Sequence, residues 1–564
     1  MADSDANLER QRQRLREAAA RGPTATALAF LRLSGPGWLQ SAVTLGGGSL
    51  AGSLYLGIIG GYEMMWLQPL MMLFGIVMLS AIAHVTLSTG EAPFRALNRR
   101  VNPVLGWAWI VATLMANLVW AMPQFSLGGA ALRQNLGILP GEDNKALVAL
   151  CLAAVSGLIV WLYDSSARGY RIFDLLLKGM VAVVVLSFFG VVAILSLGPA
   201  GLPWGEIAAG FLPRPGLIFE PAESLRGPIA ASSDPEYWHR TVVSAQRDRM
   251  VAAAATAVGI NMTFLLPYSM RKRGWDRDFR GLARFDLATG LFVPFVLATS
   301  CVVIAAAAQF HGKPEPGLIE GRTSAGVPAK LRVEYEANLS ALLVSNGEAC
   351  DPEKFATLPE ADRVLAATLI QRDAFALADS LKALAGEGWS QTVFGIGVVG
   401  MAVSSIVILM LINGFTVCEM FGRPSRGWLY RVGALLPAVS GVFGALYLWS
   451  GKAQFYLAVP TSRFGMVLLP IAYIGFFFLM NHRRLLGDAM PAGGRRVAWN
   501  VLMTIAIALS LTGAAISILN DTAVLPGTGI AVRHLATGLA GMLAGGALLV
   551  FFLRKRRANP PASP

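Results

Sequence analysis

Two long apolar segments, far apart in the chain, are each interrupted in the middle by residues that resist helix. The first runs Gly35-Pro36-Gly37-Trp38 and on to Thr44-Leu45-Gly46-Gly47-Gly48-Ser49-Leu50. The second runs from Ala252-Ala253-Ala254-Ala255 to Gly259-Ile260-Asn261-Met262-Thr263-Phe264-Leu265-Leu266-Pro267. Glycine is a poor helix former and proline lacks an amide, so both segments are predicted to unwind there. Unwound backbone at membrane depth is tolerated only when it is buried in protein or lines a wet cavity. A matched pair of interrupted helices, one in each half of a many-span chain, marks the binding site of a secondary transporter. The pattern points to transport.

Length and composition agree. Of 564 residues, 55% are hydrophobic and 14% charged, a balance that excludes an ordinary soluble domain. Apolar runs long enough to span a bilayer fall near 35–60, 63–88, 103–130, 146–163, 171–197, 250–270, 283–309, 391–421, 429–450, 455–480, 497–519 and 529–553. That gives about twelve spans, numbered here in chain order. The net charge of +13 is not a nucleic-acid signal, because the basic residues sit in short segments between spans. Arg95, Arg99 and Arg100 follow the second span, and Arg168 and Arg171 the fourth. Arg271, Lys272, Arg273, Arg277 and Arg280 follow the sixth, while Arg423, Arg426 and Arg431 follow the eighth. Arg483, Arg484, Arg495 and Arg496 follow the tenth, and Arg554 to Arg557 the twelfth. Every even-numbered span is followed by basic residues, so both termini are expected in the cytosol of a multi-pass cell-membrane protein.

The loops at 198–249 and 310–388 then lie outside. Thr357-Leu358-Pro359-Glu360, followed by Val364, Leu365, Ile370, Phe375, Leu377 and Leu381, reads as a capped amphipathic helix in the second loop. The four cysteines, Cys151, Cys301, Cys350 and Cys418, suit neither a disulfide framework nor a thiolate metal site. No phosphate loop, His/Cys metal spacing or nucleophile elbow occurs, so no enzyme and no cofactor is expected. Spans one to five and six to ten read as two repeats, and their odd number makes them inverted. The chain divides into a cytosolic segment 1–34, repeats at 35–197 and 250–480 separated by the loop 198–249, and a final part 481–564 with two further spans. The arginine-rich start (Arg10, Arg12, Arg14, Arg16) reads as a cytosolic helix at the membrane surface.

Several stretches resemble the Nramp family of metal transporters. Gly35-Pro36-Gly37-Trp38-Leu39-Gln40-Ser41 resembles that family's start of the first helix. Ala83-His84-Val85-Thr86-Leu87-Ser88-Thr89-Gly90 resembles the end of its second helix, where the family often has Arg at the His84 position. Ser404-Ser405 and Val417-Cys418-Glu419-Met420-Phe421 resemble its eighth helix. The similarity covers about 35–520 and implies an all-α, LeuT-like fold of five plus five inverted spans. The family's metal motif Asp-Pro-Gly-Asn is matched by Gly46-Gly47-Gly48-Ser49, and its Met-Pro-His by Asn261-Met262-Thr263; its second sixth-helix histidine falls near Tyr268. The anionic ligand, the soft ligand and both proton-handling histidines are therefore replaced.

The residues expected to contact substrate are Thr44, Gly46, Gly47, Gly48, Ser49, Asn261, Met262 and Thr263, with Ser49, Asn261 and Thr263 as oxygen ligands for a metal ion. Oxygen-only ligands suit a hard, partly hydrated cation such as magnesium. The structural alternative is that Gly46–Gly48 permit close helix packing and that Asn261 and Thr263 bond neighbouring helices. Asn117, Gln124, Tyr268 and Arg463 are candidates for the pathway or its gates; for Arg463 the alternative is snorkelling to the outer interface. Asp174 and Lys178 are spaced to pair on the fifth span, and Asp286 and Glu419, each near a cytosolic helix end, are candidates for gate salt bridges with basic partners. His84 reads as a satisfied interface residue. The leading function is a carrier of a divalent or hydrated metal cation, magnesium or manganese, without tight proton coupling. A carrier of amino acids or related organic solutes on the same fold, and a transport-inactive membrane sensor or scaffold, are the alternatives.

Overall fold

The first interrupted segment forms two helices, Pro36–Thr44 and Gly47–Gly60, the second continuing as a tight turn to Met64. Their axes bend by 57°. Gly46 caps the second half in an extended conformation, and Leu45 leaves helical geometry with ψ 66°. The computed structural model describes residues 2–165, 167–199, 201–319, 329–372, 377, 387–448, 458–520 and 532–558.

The second interruption lies earlier than expected. Helix Pro235–Ala255 stops, residues 256–259 are irregular, and Ile260–Lys272 begins again. Ala252–Ala255 are strong helix formers and complete the first half, closed by Thr256 N bonding to the carbonyl of Ala253 at 3.2 Å. Asn261, Met262 and Thr263 are thus the first turn of a helix rather than unwound chain. Pro267 sits inside that helix and leaves the carbonyl of Thr263 without its helical donor. The sixth span also starts sooner, because Asp234 caps Pro235–Ala255 by accepting from Tyr237 N at 2.9 Å. Residues 235–249, expected in a loop, are helical.

Among the described residues, ten helices are long and apolar enough to cross a membrane, and the bent pair Pro36–Thr44 with Gly47–Met64 makes an eleventh. The remaining spans are Leu67–Thr89, Pro103–Ala130, Lys145–Ser165, Ala167–Leu197, Val293–Phe310, Glu387–Met420, Trp428–Phe443, Ala458–Met480 and Gly493–Leu519. The expected twelfth is helix Val532–Ala558, whose apolar stretch Ala536–Val550 is shorter than a full span. No strand occurs among the described residues.

Lipid offers no hydrophobic drive for helix association, so close backbone approach through small residues has to supply it. The second half of the first span packs on the seventh and sixth in this way. A Cβ at Gly57 would lie 2.6 Å from the carbonyl oxygen of Val303, and one at Gly52 would lie 2.9 Å from Cα of Ala253. The long eighth span packs against the third, fifth and ninth. Both broken helices are therefore enclosed by other spans.

The two long loops build one cap on the face away from the amino terminus. Asp362, fully buried, accepts hydrogen bonds from Ser233 N and from Trp238 Nε1 at 2.6 Å, joining the second loop to the base of the first. The amphipathic helix of the second loop runs Glu360–Thr368 with Leu365 buried, and Ile370 is buried just beyond its end. Pro359 rather than Thr357 precedes it, and the Thr357 hydroxyl bonds back to the carbonyl of Lys354. Leu377 is buried, while Phe375 and Leu381 lie outside the described residues. All four cysteines are free.

Candidate functional site

The two interruptions face each other across a cavity of about 60 Å³, room for a few water molecules. Thr44, Gly46, Gly48 and Ser49 line it from the first break, and Thr256, Gly259, Asn261 and Met262 from the second. Trp120 and Gln124 of the third span, Ser405 of the eighth, and Thr461 and Ser462 of the tenth also line it, with the apolar Val43, Pro123, Ala255 and Leu409 filling the rest of the wall.

Each opened helix end finds its own hydrogen-bond partners, as buried backbone must. Gly46 N donates to Ser49 Oγ at 3.1 Å, and that hydroxyl donates back to the Gly46 carbonyl at 2.8 Å. Gly47 N donates to Gln124 Oε1 at 2.9 Å. Across the cavity, Met262 N donates to Asn261 Oδ1 at 2.8 Å, and Gly259 N points at the Met262 sulfur, 3.4 Å away. Thr44 Oγ1 ties the breaks together by donating to the carbonyls of Thr256 at 2.6 Å and Ala257 at 3.1 Å. Gln40 Nε2 adds a second tie, to the Met262 carbonyl at 3.2 Å.

The glycines serve packing and cavity at once. A Cβ at Gly46 would stand 2.5 Å from Ser405 Oγ, one at Gly47 2.9 Å from Leu127, and one at Gly48 3.2 Å from Ser462 Oγ. Only bare backbone comes this close to three neighbouring spans.

The donor set is neutral. Amide oxygens have two lone pairs, so Asn261 Oδ1 and Gln124 Oε1 each retain one after bonding backbone. Among the described residues, no group of three or more His, Cys, Asp or Glu could hold a metal ion. The site offers hydroxyl, amide and carbonyl oxygens plus one thioether, a set for hard or hydrated ions.

Five expected residues stand elsewhere; Gly47 lies behind the wall, its amide bound to Gln124 and its α-carbon against Leu127. Thr263, expected as a ligand, turns away: its hydroxyl accepts from Trp109 Nε1 at 2.9 Å and bonds the Ile260 carbonyl. Asn117 does not line the cavity; its Nδ2 donates to Asn413 Oδ1 at 2.7 Å, both side chains fully buried. Tyr268 stacks on Phe264 at 4.2 Å, one turn deeper in the same half-helix. Arg463 pairs with Asp248 at 3.4 Å beside the cavity rather than in it. Gln124 lines the cavity. Ser405, Thr461, Ser462, Thr256 and Trp120 were not singled out beforehand; Ser405 carried a signal only in the Ser404-Ser405 resemblance.

Toward the amino-terminal face, a polar network closes over the start of the first span. Asp286 accepts from Gly35 N at 3.1 Å and Gly37 N at 2.7 Å, capping helix Pro36–Thr44 from the seventh span. It acts as a helix cap rather than as one arm of the expected salt bridge. Arg273 donates to Asp174 at 3.0 Å and to the Tyr170 hydroxyl at 2.7 Å, and Lys178 pairs with Asp174 at 2.7 Å. Glu419 pairs with Arg95 at 3.0 Å. His84 bonds the Ala489 carbonyl at 2.8 Å, a satisfied interface residue. The helix Ala2–Arg21 docks nearby through Arg12, which pairs with Asp276, and Arg16, 3.4 Å from Asp278.

The model of the family described as natural resistance-associated macrophage protein-like (Nramp) matches residues 37–326 and 361–517. Two curated relatives align over short stretches. Metal transporter Nramp6.2 of Populus trichocarpa is 26% identical over 162 residues, 28% of each chain. Metal transporter Nramp2 of Oryza sativa subsp. japonica is 24% identical over 163 residues, 28% of this chain and 29% of that one. The chain thus spans less than a third of the length of these relatives. The whole architecture matches solved structures of the Eremococcus coleocola manganese transporter. A single-residue mutant superposes with a TM-score of 0.63 at 14% identity, covering 94% of this chain and 95% of that one. The form in complex with an aromatic bis-isothiourea substituted compound gives 0.61 at 15% identity, over the same shares. The all-α, LeuT-like fold of multiple membrane helices is theirs as well. With the family model covering most of the sequence, this chain belongs to the Nramp family, as a divergent member without that family's usual metal-binding motifs.

Proposed function

We propose that the chain is a secondary transporter for a divalent metal cation that keeps part of its hydration shell, magnesium or manganese, and that it moves this ion without tight proton coupling. The observation that carries the reading is the small cavity at the meeting of two broken helices, whose polar lining is neutral oxygens set in a partly apolar wall. Magnesium dehydrates reluctantly and usually keeps several waters, and a carboxylate-free wall that can hydrogen-bond those waters fits such an ion. Family membership, and the metal and manganese transport named for its relatives, support the same reading.

The proposal extends to sidedness and repeats. Both termini and the Asp286–Arg273 network face the cytosol, the cap of the long loops faces outward, and 35–197 and 250–480 are the inverted repeats. The basic residues after every even-numbered span support this placement. Asn261 and Ser49 are the ligands retained from the sequence reading, joined by Gln124 and Ser405.

An amino-acid substrate fits the geometry less well. A carboxylate would seek the free amides of a half-helix amino end. Here Gly46 N and Gly47 N already bond Ser49 and Gln124, and the cavity is far below the usual few hundred Å³ of an organic-ligand pocket. Purified protein in liposomes, loaded with magnesium- or manganese-sensitive dye and separately with a pH dye, tests the proposal. Metal-dependent flux with no accompanying acidification of the lumen is expected. The cavity-lining residues among those described include no group that titrates near neutral pH. Proton flux in fixed ratio to metal flux would overturn the uncoupled mechanism, and binding without any flux would favour a sensor.

A further inference from the structure

The face opposite the amino terminus is closed differently from the network around Asp286. A second, larger cavity of about 610 Å³ opens among Thr241, Ser244, Asp248, Arg249 and Ser345 under the cap. Asp248 lies on helix Pro235–Ala255, and seven residues further on, Ala255 lines the central cavity. Two helical turns, about 10 Å, therefore separate the two spaces along one face of that helix.

Arg463 fills the interval from the other side. It follows directly on Thr461 and Ser462, which line the central cavity. Its guanidinium pairs with Asp248 at 3.4 Å and donates to the Ser517 carbonyl at 2.9 Å. Asn520 Nδ2 approaches the same carboxylate at 3.4 Å. Both partners are only partly covered, with side chains 16% and 25% exposed. Among the described residues, this is the one ion pair joining helix Pro235–Ala255 to the tenth span. The third span anchors the tenth at the same level, since Trp120 Nε1 donates to the Thr461 carbonyl at 2.9 Å and a Cβ at Gly465 would strike Trp120.

An intramembrane arginine needs a partner, and this one has a carboxylate situated between two cavities. We propose that the Asp248–Arg463 ion pair is the outer gate, which separates the central cavity from the vestibule under the cap. Opening parts the tenth span from the outer half of the sixth by exchanging this one ion pair for water. The inference takes the central cavity as the transport site, but its test needs no transported ion.

The test is thiol accessibility. Ser462→Cys is placed in a background with Cys350→Ser and the three remaining native cysteines replaced by alanine. A membrane-impermeant methanethiosulfonate is then applied from the side of the cap. Asp248→Asn and Arg463→Gln are each expected to speed labelling by up to about fivefold, the factor set by the weak attraction of a partly exposed pair. The exchanged pair, Asp248→Arg with Arg463→Asp, is expected to return the rate to that of the parent, which simple loss of packing would not do. Equal rates in the parent and both single variants would overturn the gate, as would an exchanged pair that labels as fast as the single variants. Labelling as expected, with no magnesium or manganese flux, would sink the transport reading alone.

Discussion

Thr44 Oγ1 reaches across the chain's midline to the carbonyl of Thr256 at 2.6 Å, so one interrupted helix satisfies the opened backbone of the other. Neither break is complete without its partner. The cavity between them is a joint product of two segments 212 residues apart.

Thr44→Val preserves shape and removes the donor. It leaves the Thr256 and Ala257 carbonyls short of a partner and is expected to cost about 1–3 kcal/mol. Thr44→Ser, which keeps the hydroxyl, is expected to recover most of that loss. Thermal unfolding of the two variants in detergent measures the difference; identical midpoints would show that water replaces the hydroxyl.

Gln124→Glu places a carboxylate on the cavity wall at nearly unchanged volume. Charge on the ligands is the main lever on the affinity of a hard cation, and roughly tenfold tighter binding of magnesium or manganese is expected. Titration calorimetry reads it directly. Unchanged affinity would remove Gln124 from the ion's surroundings.

Gly46→Asp, together with Asn261→Met, would bring back two of the family's ligands, and the structure adds a condition. With Ser405 Oγ 2.5 Å from the position of a Cβ at Gly46, the aspartate needs space first. The pair alone is expected to fold poorly, since overpacking costs about 1–3 kcal/mol. The triple change with Ser405→Ala is expected to fold and to shift preference toward manganese, because the added thioether suits a softer ion than magnesium while the carboxylate strengthens binding of either. Competition between the two metals in the flux assay checks it.

Asn117 and Asn413 form a buried amide pair between the third and eighth spans. Replacing either one with leucine strands the other and is expected to cost about 1–3 kcal/mol, while the double replacement costs less than the sum. Unfolding measurements on all four members of the cycle decide. Strict additivity would mean that the two amides do not support one another.

The sequence reading worked where a local rule governs. Gly46–Gly48 cannot sustain helix, so the first break was legible to within a residue or two. Asp174 and Lys178 stand one turn apart and pair as their spacing requires. The second break was displaced because Thr256 gives no signal beside an alanine run and Pro267 gives too strong a one. That displacement fixed the fate of Thr263. Once a helix begins at Ile260, successive residues turn by about 100°, so Asn261 and Met262 face the cavity and Thr263 faces Trp109. Asp286 posed another difficulty. Its role as a cap for Gly35 and Gly37 depends on a contact spanning 251 residues, which no local pattern announces. Ser405 and Ser462 are ordinary serines until the glycine backbone is brought against them.

The neutrality of the cavity wall has an electrical consequence. Under the proposed uncoupled mechanism, a divalent ion crossing this site takes its full charge through the membrane field, with neither a bound proton nor a mobile carboxylate returning in exchange. At 100 mV, interior negative, that amounts to about 4.6 kcal/mol per ion. The membrane potential alone then suffices to concentrate the cation inside by a factor of roughly a thousand, and the carrier would be read as an inward current that grows with voltage and ignores pH.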